Sequence, residues 1–321
     1  MVDCSGLVPI HAGGGDYLST FFSQDKHRRV LDSGVDVPEE RPSFPLPLDQ
    51  VGISSKTVWV LFENKQWGRL PFTAEILINL PADVRGIHMS RIEQAISALH
   101  NRQFEDLRAY TLVLGDMIMQ GQRGSVGSIT LRGQVPLLQQ TPISELISID
   151  TAEISVRAQF NHNQNNQSQL VLIGVALCHL TACPCTLAYN QVLFNQENGS
   201  CPPATHSQRS KTSLMIESCF DFTPPAPSFD ELLHCLSSAL HVSQDLLKRP
   251  DEAELILQAH RQPQFVEDVV RETAREVGRK FGNSLPPATR VIIKSLSLES
   301  IHIHDVTCKL DTSLQEILTV R

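Results

Sequence analysis

Two cysteines separated by a single proline, Cys183 and Cys185, have the spacing that most directly suggests chemistry in this chain. A disulfide between them would close a strained ring, and eight cysteines in 321 residues are too few for a disulfide scaffold. Three interpretations remain: half of a structural zinc site, a metal ligand beside a reactive thiol, or two buried small side chains. A four-cysteine site is disfavoured, because the sequence has no second closely spaced pair.

Several histidines could share a metal with a thiolate. His206 follows the cysteine pair at the far end of a long segment, and imidazole and thiolate at the two ends of one loop can bind a divalent ion together. His302 and His304 lie two apart in "IHIHD", so that in a strand both point to one face. That face suits a metal or an anion, and a pair of surface histidines is the equally weighted alternative.

Two carboxylates stand near the starts of predicted helices that follow a proline, Glu252 in "KRPDE" and Glu267 in "FVEDVV". A carboxylate in the first helical turn interacts favourably with the helix dipole even when it has no other role. Glu267 is flanked by apolar residues, which predicts that it lies at the edge of a buried face.

Cations that could bind phosphate groups are spread along the chain. His88 and Arg91 lie at a predicted loop-to-helix junction, where free backbone N–H groups can bind an anion. The other candidates are Arg209, Lys211, Lys248 and Arg249.

Composition excludes several classes of protein. A net charge of −8 and a pI near 5.8 disfavour a broad nucleic-acid surface, although a local basic pocket remains possible. No apolar run approaches the roughly 20 residues that span a bilayer, which predicts no membrane association. The N-terminal residues lack the charged and apolar regions of a signal peptide, so we expect a cytoplasmic protein.

The elements that must position these residues repeat once along the chain. Periodicity predicts the order β-β-α-α-β-β in each half. This order indicates an α+β protein with antiparallel sheets and helices on one side. The predicted strands cover 57–62, 71–80, 125–138, 151–163, 170–180, 211–222, 289–300 and 301–311, and the predicted helices cover 90–101, 103–119, 228–247, 249–261 and 263–282.

The repeat divides the chain into an extension and two units. We expect residues 1–45 to be loosely ordered or folded onto a partner subunit, and we expect units over 46–165 and 166–321 with a seam near residue 165. Four-stranded sheets leave open edges, which such units commonly cover by associating. An oligomer is predicted.

Taken together, the motifs resemble the type IB GTP cyclohydrolase I family. The stretches that carry the resemblance span residues 46–310 and are "LPLDQVGI", "LPADVRGIHMSRIEQAI", "ACPCT", "THSQRS", "LLKRPDE", "FVEDVVR" and "LESIHIHD". The resemblance implies the tunnelling fold, in which β-β-α-α-β-β units join into barrels with active sites at subunit interfaces, here in a homotetramer. It also implies conversion of GTP to formate and 7,8-dihydroneopterin triphosphate, for folate or queuosine synthesis.

The resemblance assigns roles residue by residue. Cys183, His206 and Glu252 match metal ligands, with His302 or His304 completing the set around zinc, manganese or iron(II). Cys185 matches an essential thiol near the substrate, and it would act with Cys183 and His206 in catalysis. Glu267 matches the residue that holds the guanine edge, since a carboxylate accepts hydrogen bonds from both N1–H and the 2-amino group. The phosphates would contact His88, Arg91, Arg209, Lys211 and Lys248.

The sequence departs from the family pattern around the cysteines. Ala182 stands where the family usually has proline, and Thr186-Leu187 replace Ser-Lys, which removes one expected contact to phosphate or base. The segment 186–205 is also longer than expected, and we predict a loop that projects at the surface.

Three other functions compete with this interpretation. Archaeal-type members of the family use iron(II) and release a cyclic phosphate product. The stretches "GIHMSR" and "SLESIHIH" resemble the corresponding motifs of those members. A tunnelling-fold nitrile reductase would need no metal, which the predicted Cys183, His206 and Glu252 ligands argue against. A non-catalytic metal-binding protein is the third alternative.

Overall fold

The computed structural model describes residues 22–34, 36–64, 67–162, 168–194, 203–218 and 226–320. Within these residues ten strands form a single sheet, with helices along it. The strands are β1 Leu48–Phe62, β2 Arg69–Leu80, β3 Gln103–Phe104, β4 Val126–Gln140, β5 Ile147–Asn161, β6 Ser168–Ala182, β7 Ser207–Ser218, β8 His241–Val242, β9 Arg290–Ser297 and β10 Val306–Ser313. The helices are α1 Gln24–Asp32, α2 Met89–Ala98, α3 Leu107–Gln120, α4 Pro184–Leu193, α5 Phe229–Ala239, α6 Arg249–Arg261, α7 Val266–Phe281 and α8 Leu314–Thr319.

The strand order confirms the predicted α+β class and the β-β-α-α-β-β arrangement of each half. Along the sheet the order is β10-β9-β7-β6-β5-β4-β2-β1-β3, with β8 paired to β6. All neighbours are antiparallel except β1 and β3. Because β5 pairs with β6, the two predicted sheets are one continuous sheet. The proposed seam near residue 165 lies outside the described residues, and the division into units stays a prediction.

Helices cover one face of the sheet. Helix α3 packs on β4 and β5, α5 packs on β6, and α7 packs on β9. Side chains along each strand therefore alternate between the two faces of the sheet. Ile154 and Val156 are buried beneath the helices, whereas Arg157 points to the opposite face and is exposed. We call the opposite side, which carries Arg132, Glu153, Arg157, Lys211 and Lys294, the open face.

The prediction of a loop over 186–205 is wrong for its first part. Residues 184–193 form α4, with Pro184 in its first turn, where a proline's fixed φ and missing N–H favour a helix start. Helix α4 leaves Tyr189, Val192 and Leu193 exposed, and this scarcity of buried positions is why the periodicity gave a weak helical signal. Residues 195–202 lie outside the described part of the chain.

The predicted strand over 301–311 begins later than expected. Strand β10 starts at Val306, which pairs with Ser297, and residues 301–304 form bends instead. The alternating "IHIH" pattern was misleading, because Ile301 and Ile303 are exposed and no apolar face is buried there.

Other strand and helix boundaries differ from the predicted ones for local reasons. Strand β1 begins at Leu48, well before the predicted start at residue 57, and pairs with β2 through two irregularities. Helix α5 ends at Ala239, before the predicted 247, because the next residues turn extended and pair with β6. Among the described residues, no helix is long and apolar enough to cross a membrane.

Part of the predicted N-terminal extension is ordered against its own chain. The carbonyl oxygen of Pro38 accepts hydrogen bonds from the backbone N–H groups of Arg85 (3.0 Å) and Gly86 (3.2 Å). Residues 1–21 of this extension lie outside the described range. The expectation that all of 1–45 is loose or bound to a partner is therefore wrong for the segment around Pro38.

Candidate functional site

The ends of β6 and β7 bring a thiol and an imidazole together. The last pair of this antiparallel ladder is Ala182 with Ser207, so that the next residue on one strand and the preceding residue on the other are neighbours. The backbone N–H of Cys183 donates to the carbonyl oxygen of His206 at 3.1 Å. The hydroxyl of Thr205 donates to the carbonyl oxygen of Cys183 at 2.9 Å. Cys183 and His206 are half-buried.

A cavity of about 300 Å³ lies beside these two residues. The start of α7 forms one wall, and the segment that joins β9 to β10 forms another. The cavity therefore unites five of the predicted site residues from four separate stretches of sequence. Its lining is Cys183, His206, Gln208, Gln264, Phe265, Val266, Glu267, Ser297, Glu299, His302, His304 and Val306.

The two histidines of "IHIH" face this cavity together although they are not in a strand. The rings of His302 and His304 stack, with centroids 5.3 Å apart and planes 15° apart. Both lie in an exposed turn. Both imidazoles therefore line the same cavity as the thiol of Cys183 and the carboxylates of Glu267 and Glu299.

Glu299 is a cavity residue that the sequence analysis missed. Its carboxylate accepts a hydrogen bond from the hydroxyl of Ser297 at 2.9 Å and from the side-chain amide of Gln208 at 3.4 Å. Its spacing in the sequence could have identified it, because Glu299 precedes His302 by three residues. In a turn, a carboxylate at that distance can bind the same metal ion as the imidazole.

Gln208 also orients His206. The Gln208 side-chain oxygen lies 3.1 Å from Nδ1 of His206 while its NH₂ group donates to Glu299. A carbonyl oxygen only accepts, so Nδ1 carries the hydrogen and Nε2 keeps its lone pair free. This is the tautomer that a metal-binding imidazole needs, with the second nitrogen held by a neighbouring group.

The cavity has the mixed donor set that suits a transition metal. Thiolate, imidazole and carboxylate together bind zinc, iron or manganese. In the described part of the chain, no three such side chains already converge on one point. The donors line a shared space and are not arranged as a closed shell.

Cys185 stands outside the cavity lining. It is exposed in the first turn of α4, two residues beyond Cys183, and both thiols are free. Cys183 is the N-cap residue of this helix and lines the cavity, whereas Cys185 is exposed to solvent.

Glu252 is not brought to the cavity. His260, near the other end of α6, has Nε2 3.3 Å from the carbonyl oxygen of Thr205, beside His206. At a rise of about 1.5 Å per residue, Glu252 lies about 12 Å further along the helix axis. Glu252 does not line the cavity in this chain, and its predicted role as a metal ligand stays a prediction.

The start of α6 is instead bound to the β4–β5 hairpin. The buried carboxylate of Asp251 accepts from the backbone N–H groups of Ile143 (2.8 Å), Ser144 (2.9 Å) and Lys248 (3.0 Å), and from the Ser144 hydroxyl (2.6 Å). Burial of this carboxyl raises its pKa, but the hydrogen bonds outweigh burial and lower the pKa to about 2. Lys248 and Glu252, both exposed, are held in place by this contact.

The predicted phosphate ligands Arg209 and Lys211 lie on the open face. Gln208 lines the cavity on the helix side, and alternation along β7 turns Arg209 and Lys211 the opposite way. The ammonium group of Lys211 contacts the carboxylate of Glu153 at 2.5 Å. The sheet therefore lies between these cations and the cavity.

His88 and Arg91 are engaged in the first half of the chain. His88 precedes α2, as predicted, and is buried, with Nε2 2.7 Å from Glu39. The Arg91 guanidinium donates to the carbonyl oxygen of Gly121 at 2.9 Å. Among the described residues, the cavity is lined by neither Lys nor Arg.

A continuous, mostly antiparallel sheet of two β-β-α-α-β-β halves, with a thiol, imidazole and carboxylate cavity at the ends of its strands, is the arrangement predicted above for a tunnelling-fold enzyme. Residues 35–308 match the family of type I GTP cyclohydrolases (folE2), and the chain belongs to that family.

Curated relatives agree along nearly their whole length. GTP cyclohydrolase MptA of Methanococcus aeolicus is 27% identical over 305 residues, which cover 88% of this chain and 97% of that protein. GTP cyclohydrolase MptA of Methanoculleus marisnigri is 28% identical over 311 residues, covering 88% and 96%. Among solved structures, uricase from Arthrobacter globiformis has a TM-score of 0.48 at 10% identity, covering 84% of this chain and 94% of that one.

Proposed function

We propose that this chain is a metal-dependent GTP cyclohydrolase of type IB, which converts GTP and water to formate and 7,8-dihydroneopterin triphosphate. The observation that carries the proposal is the meeting of Cys183, His206, Glu267, Glu299 and His302 in one cavity of a chain that belongs to the GTP cyclohydrolase family. Family membership also favours this reaction over nitrile reduction and over a non-catalytic role.

The proposed metal ligands are Cys183, His206 and His302, with Glu299 as the carboxylate. We prefer Glu299 to the predicted Glu252 because Glu299 lines the cavity. His304 is the alternative to His302. A bound zinc, manganese or iron(II) ion would supply Lewis acidity and a water of lowered pKa for attack at C8 of the purine.

The remaining side chains bind and orient the substrate. Glu267, in the first turn of α7, accepts hydrogen bonds from guanine N1–H and the 2-amino group. The exposed Cys185 thiol, beside the cavity, exchanges protons with the purine nitrogens as the imidazole ring opens. His206 holds its Nδ1 proton through Gln208, which leaves the Nε2 lone pair free for the metal.

Phosphate binding requires groups from outside the cavity lining. Arg91 and Lys248, which are exposed, are the proposed cations, brought to the cavity from another copy of the chain, whereas the buried His88 is held by Glu39 of its own chain. This proposal agrees with the predicted homotetramer. The tetramer, the cytoplasmic location and a role in folate or queuosine synthesis remain predictions.

A second candidate shares the site and differs in the product. The relatives described above are named GTP cyclohydrolase MptA, and the archaeal-type reaction that uses iron(II) and releases a cyclic phosphate stays the alternative. The two candidates differ in whether the triphosphate remains on the product.

The test is anaerobic incubation of metal-stripped protein with GTP after separate addition of Zn(II), Mn(II) or Fe(II). Formate with dihydroneopterin triphosphate, identified by mass and fluorescence, supports the first candidate. A cyclic phosphate formed only with iron supports the second. Folded, metal-loaded protein that releases no formate with any of the three metals contradicts both.

A further inference from the structure

A second cavity, of about 490 Å³, lies on the open face of the sheet, away from the candidate active site. It is large enough for a small ligand, since ligand sites commonly measure about 300–1,000 Å³. Four cations surround it and one acid accompanies them. These residues are Arg132, Arg157, Lys211, Lys294 and Glu153.

The depression has a structural cause in strand β6. Ala176 lines the basin, and Gly174 lies two residues before it on the same face; they pair with Glu153 and Ser155 of β5. A Cβ atom on Gly174 would lie 2.7 Å from the Ser155 hydroxyl oxygen, so no larger side chain fits without a shift. Small side chains at the centre and long cationic ones around it leave a shallow basin.

The register of the strands arranges the cations around this basin. Arg132 of β4 pairs with Ser155, and Arg157 follows two residues later on the same face of β5. On the other side, Lys294 of β9 pairs with Ser213 of β7, which pairs with Ala176. Arg132 and Lys294 are four strand spacings apart, about 19 Å between backbones, and both side chains are long enough to reach inward.

Most of this positive charge is uncompensated. Lys211 is paired with Glu153. Within the described part of the chain, the side chains of Arg132, Arg157 and Lys294 have neither an ion pair nor a hydrogen bond to protein. Three unpaired cations around one cavity are an unusual concentration in a chain whose net charge is −8.

The floor between the cations is partly apolar. Leu172, Met215, Ile292 and Leu296 line the same cavity. A ligand that fits this basin has phosphate oxygens, which the cations bind, and an apolar group, which rests on the apolar floor. Inorganic polyphosphate has the first property only, whereas a nucleoside polyphosphate has both.

We propose that this basin is a second anion site, separate from the candidate active site, which binds the polyphosphate group of a nucleoside triphosphate or of a free polyphosphate. Arg132, Arg157 and Lys294 contact the phosphate oxygens, and Glu153 weakens binding by neutralising Lys211. The sheet prevents a single ligand molecule from occupying the basin and the cavity at Cys183 of the same chain through the protein interior.

The test uses inorganic triphosphate as the probe, measured by titration calorimetry on the full chain in EDTA, so that a metal in the active site does not contribute. Wild-type protein should bind one triphosphate per chain at this site, with an affinity that falls as salt rises. The double variant R157A/K294A should weaken binding by about tenfold or more, because two charge-assisted contacts are lost.

Two further variants keep the test independent of folding. E153Q should bind triphosphate more tightly than wild type, since Lys211 is released, and a merely destabilised protein would not gain affinity. The control R275A/R279A removes two cations from the helical face, where both are ion-paired, and should leave binding within about twofold. Unchanged affinity in both R157A/K294A and E153Q would overturn the proposal.

Competition distinguishes the two sources of the polyphosphate. GTP and ATP that displace triphosphate equally, and more tightly than triphosphate binds, indicate a nucleotide whose base rests on the apolar floor. Displacement by neither nucleotide identifies a free polyphosphate. Guanosine without phosphates should not compete, and competition by guanosine alone would contradict an anion site.

Discussion

The backbone N–H of Cys183 donates a hydrogen bond to the carbonyl oxygen of His206, which makes a thiol and an imidazole neighbours across the ends of two paired strands. The pairing of β6 with β7 dictates this contact, since the register ends at Ala182 and Ser207. Helix α4 and the chain up to His206 close the loop between them. Its length can therefore vary without separating the two proposed ligands.

The two cysteines should separate metal binding from reactivity. Cys183→Ala is expected to lower metal content by more than about tenfold, because the variant loses a thiolate ligand. Cys185→Ala is expected to retain metal and lose turnover. Elemental analysis and formate release measure the two effects, with Cys178→Ala, an exposed thiol on the open face, as control. Metal loss in Cys185→Ala and not in Cys183→Ala would reverse the assignment.

Substitutions of Glu299 and Glu252 should have different effects on metal affinity, because we propose only Glu299 as the carboxylate ligand. Glu299→Gln should weaken metal binding by about tenfold or more, both by removing the carboxylate and by disturbing Gln208. Glu252→Gln should leave metal affinity near that of wild type, because Glu252 lies outside the cavity. Competition with a chelating dye measures both constants. If only Glu252→Gln loses metal, the ligand set includes a group from another copy of the chain.

Glu267 should govern recognition of the guanine edge. Glu267→Gln is expected to lower kcat/KM for GTP by roughly 10- to 100-fold, since a charge-assisted hydrogen bond is worth about 1.5–3 kcal/mol. Metal content should not change. Glu272→Gln is the control on the same helix, where Glu272 is ion-paired with Arg275.

Inosine triphosphate adds a second readout for Glu267. It lacks the 2-amino group, so wild-type protein should prefer GTP, and Glu267→Gln should lose part of that preference. A variant that loses activity but keeps the full preference would show that Glu267 does not contact the guanine edge.

His179 should make stability depend on pH. Its side chain is fully buried, with Nε2 2.8 Å from the Thr212 hydroxyl, and burial lowers the pKa of His179 to about 4 from 6.5. The unfolded chain binds the proton more readily, so the stability that neutral His179 contributes is complete above pH 6.5 and falls as pH drops toward 4. The predicted loss by pH 4 is roughly 3 kcal/mol.

Urea unfolding at several pH values checks this prediction. His179→Gln should flatten the dependence between pH 6.5 and 4, while His234→Gln, an exposed histidine on α5, should leave it unchanged. Equal slopes in wild type and His179→Gln would assign the effect to other groups.

Asp251 should stabilise the contact between the β4–β5 hairpin and α6. Asp251→Asn is expected to lower Tm by several degrees, because an amide replaces one of the two acceptor oxygens that bind Ile143, Ser144 and Lys248. The matched control is Asp268→Asn, at the same position of α7, where the carboxylate accepts from Phe265 N–H and Arg271.

The pKa of Asp251 also predicts the pH range of this effect. A folded-state pKa of about 2 lies below the ordinary value, so the contribution is complete above about pH 4 and is lost as pH falls toward 2. Calorimetric scans between pH 5 and pH 2 compare wild type with both variants. A larger Tm loss in Asp268→Asn than in Asp251→Asn would contradict the proposed role.

Local patterns were sufficient to predict most of the strands and helices. Alternation in β2, β4 and β5 and the apolar spacing of α3 and α7 indicate their own conformations, because each depends on neighbours a few residues away. The same is true of caps such as Ser228 at α5 and of the helix end at Gly282. The family resemblance supplied the residue set Cys183, His206, Glu267, His302 and His304, which the cavity brings together.

Only the tertiary structure decided which side of the sheet each residue occupies. Alternation predicts that Gln208 and Arg209 point to opposite faces of the sheet, but it does not predict which face the helices cover. Because the helices and the cavity are on the face of Gln208, the side chains of Arg209 and Lys211 point away from the cavity. Glu299 likewise gains its role from contacts with Gln208, which is distant in sequence. Long-range packing, which no local pattern encodes, also leaves Glu252 out of the cavity lining and places Arg132, Arg157 and Lys294 around one basin on the open face.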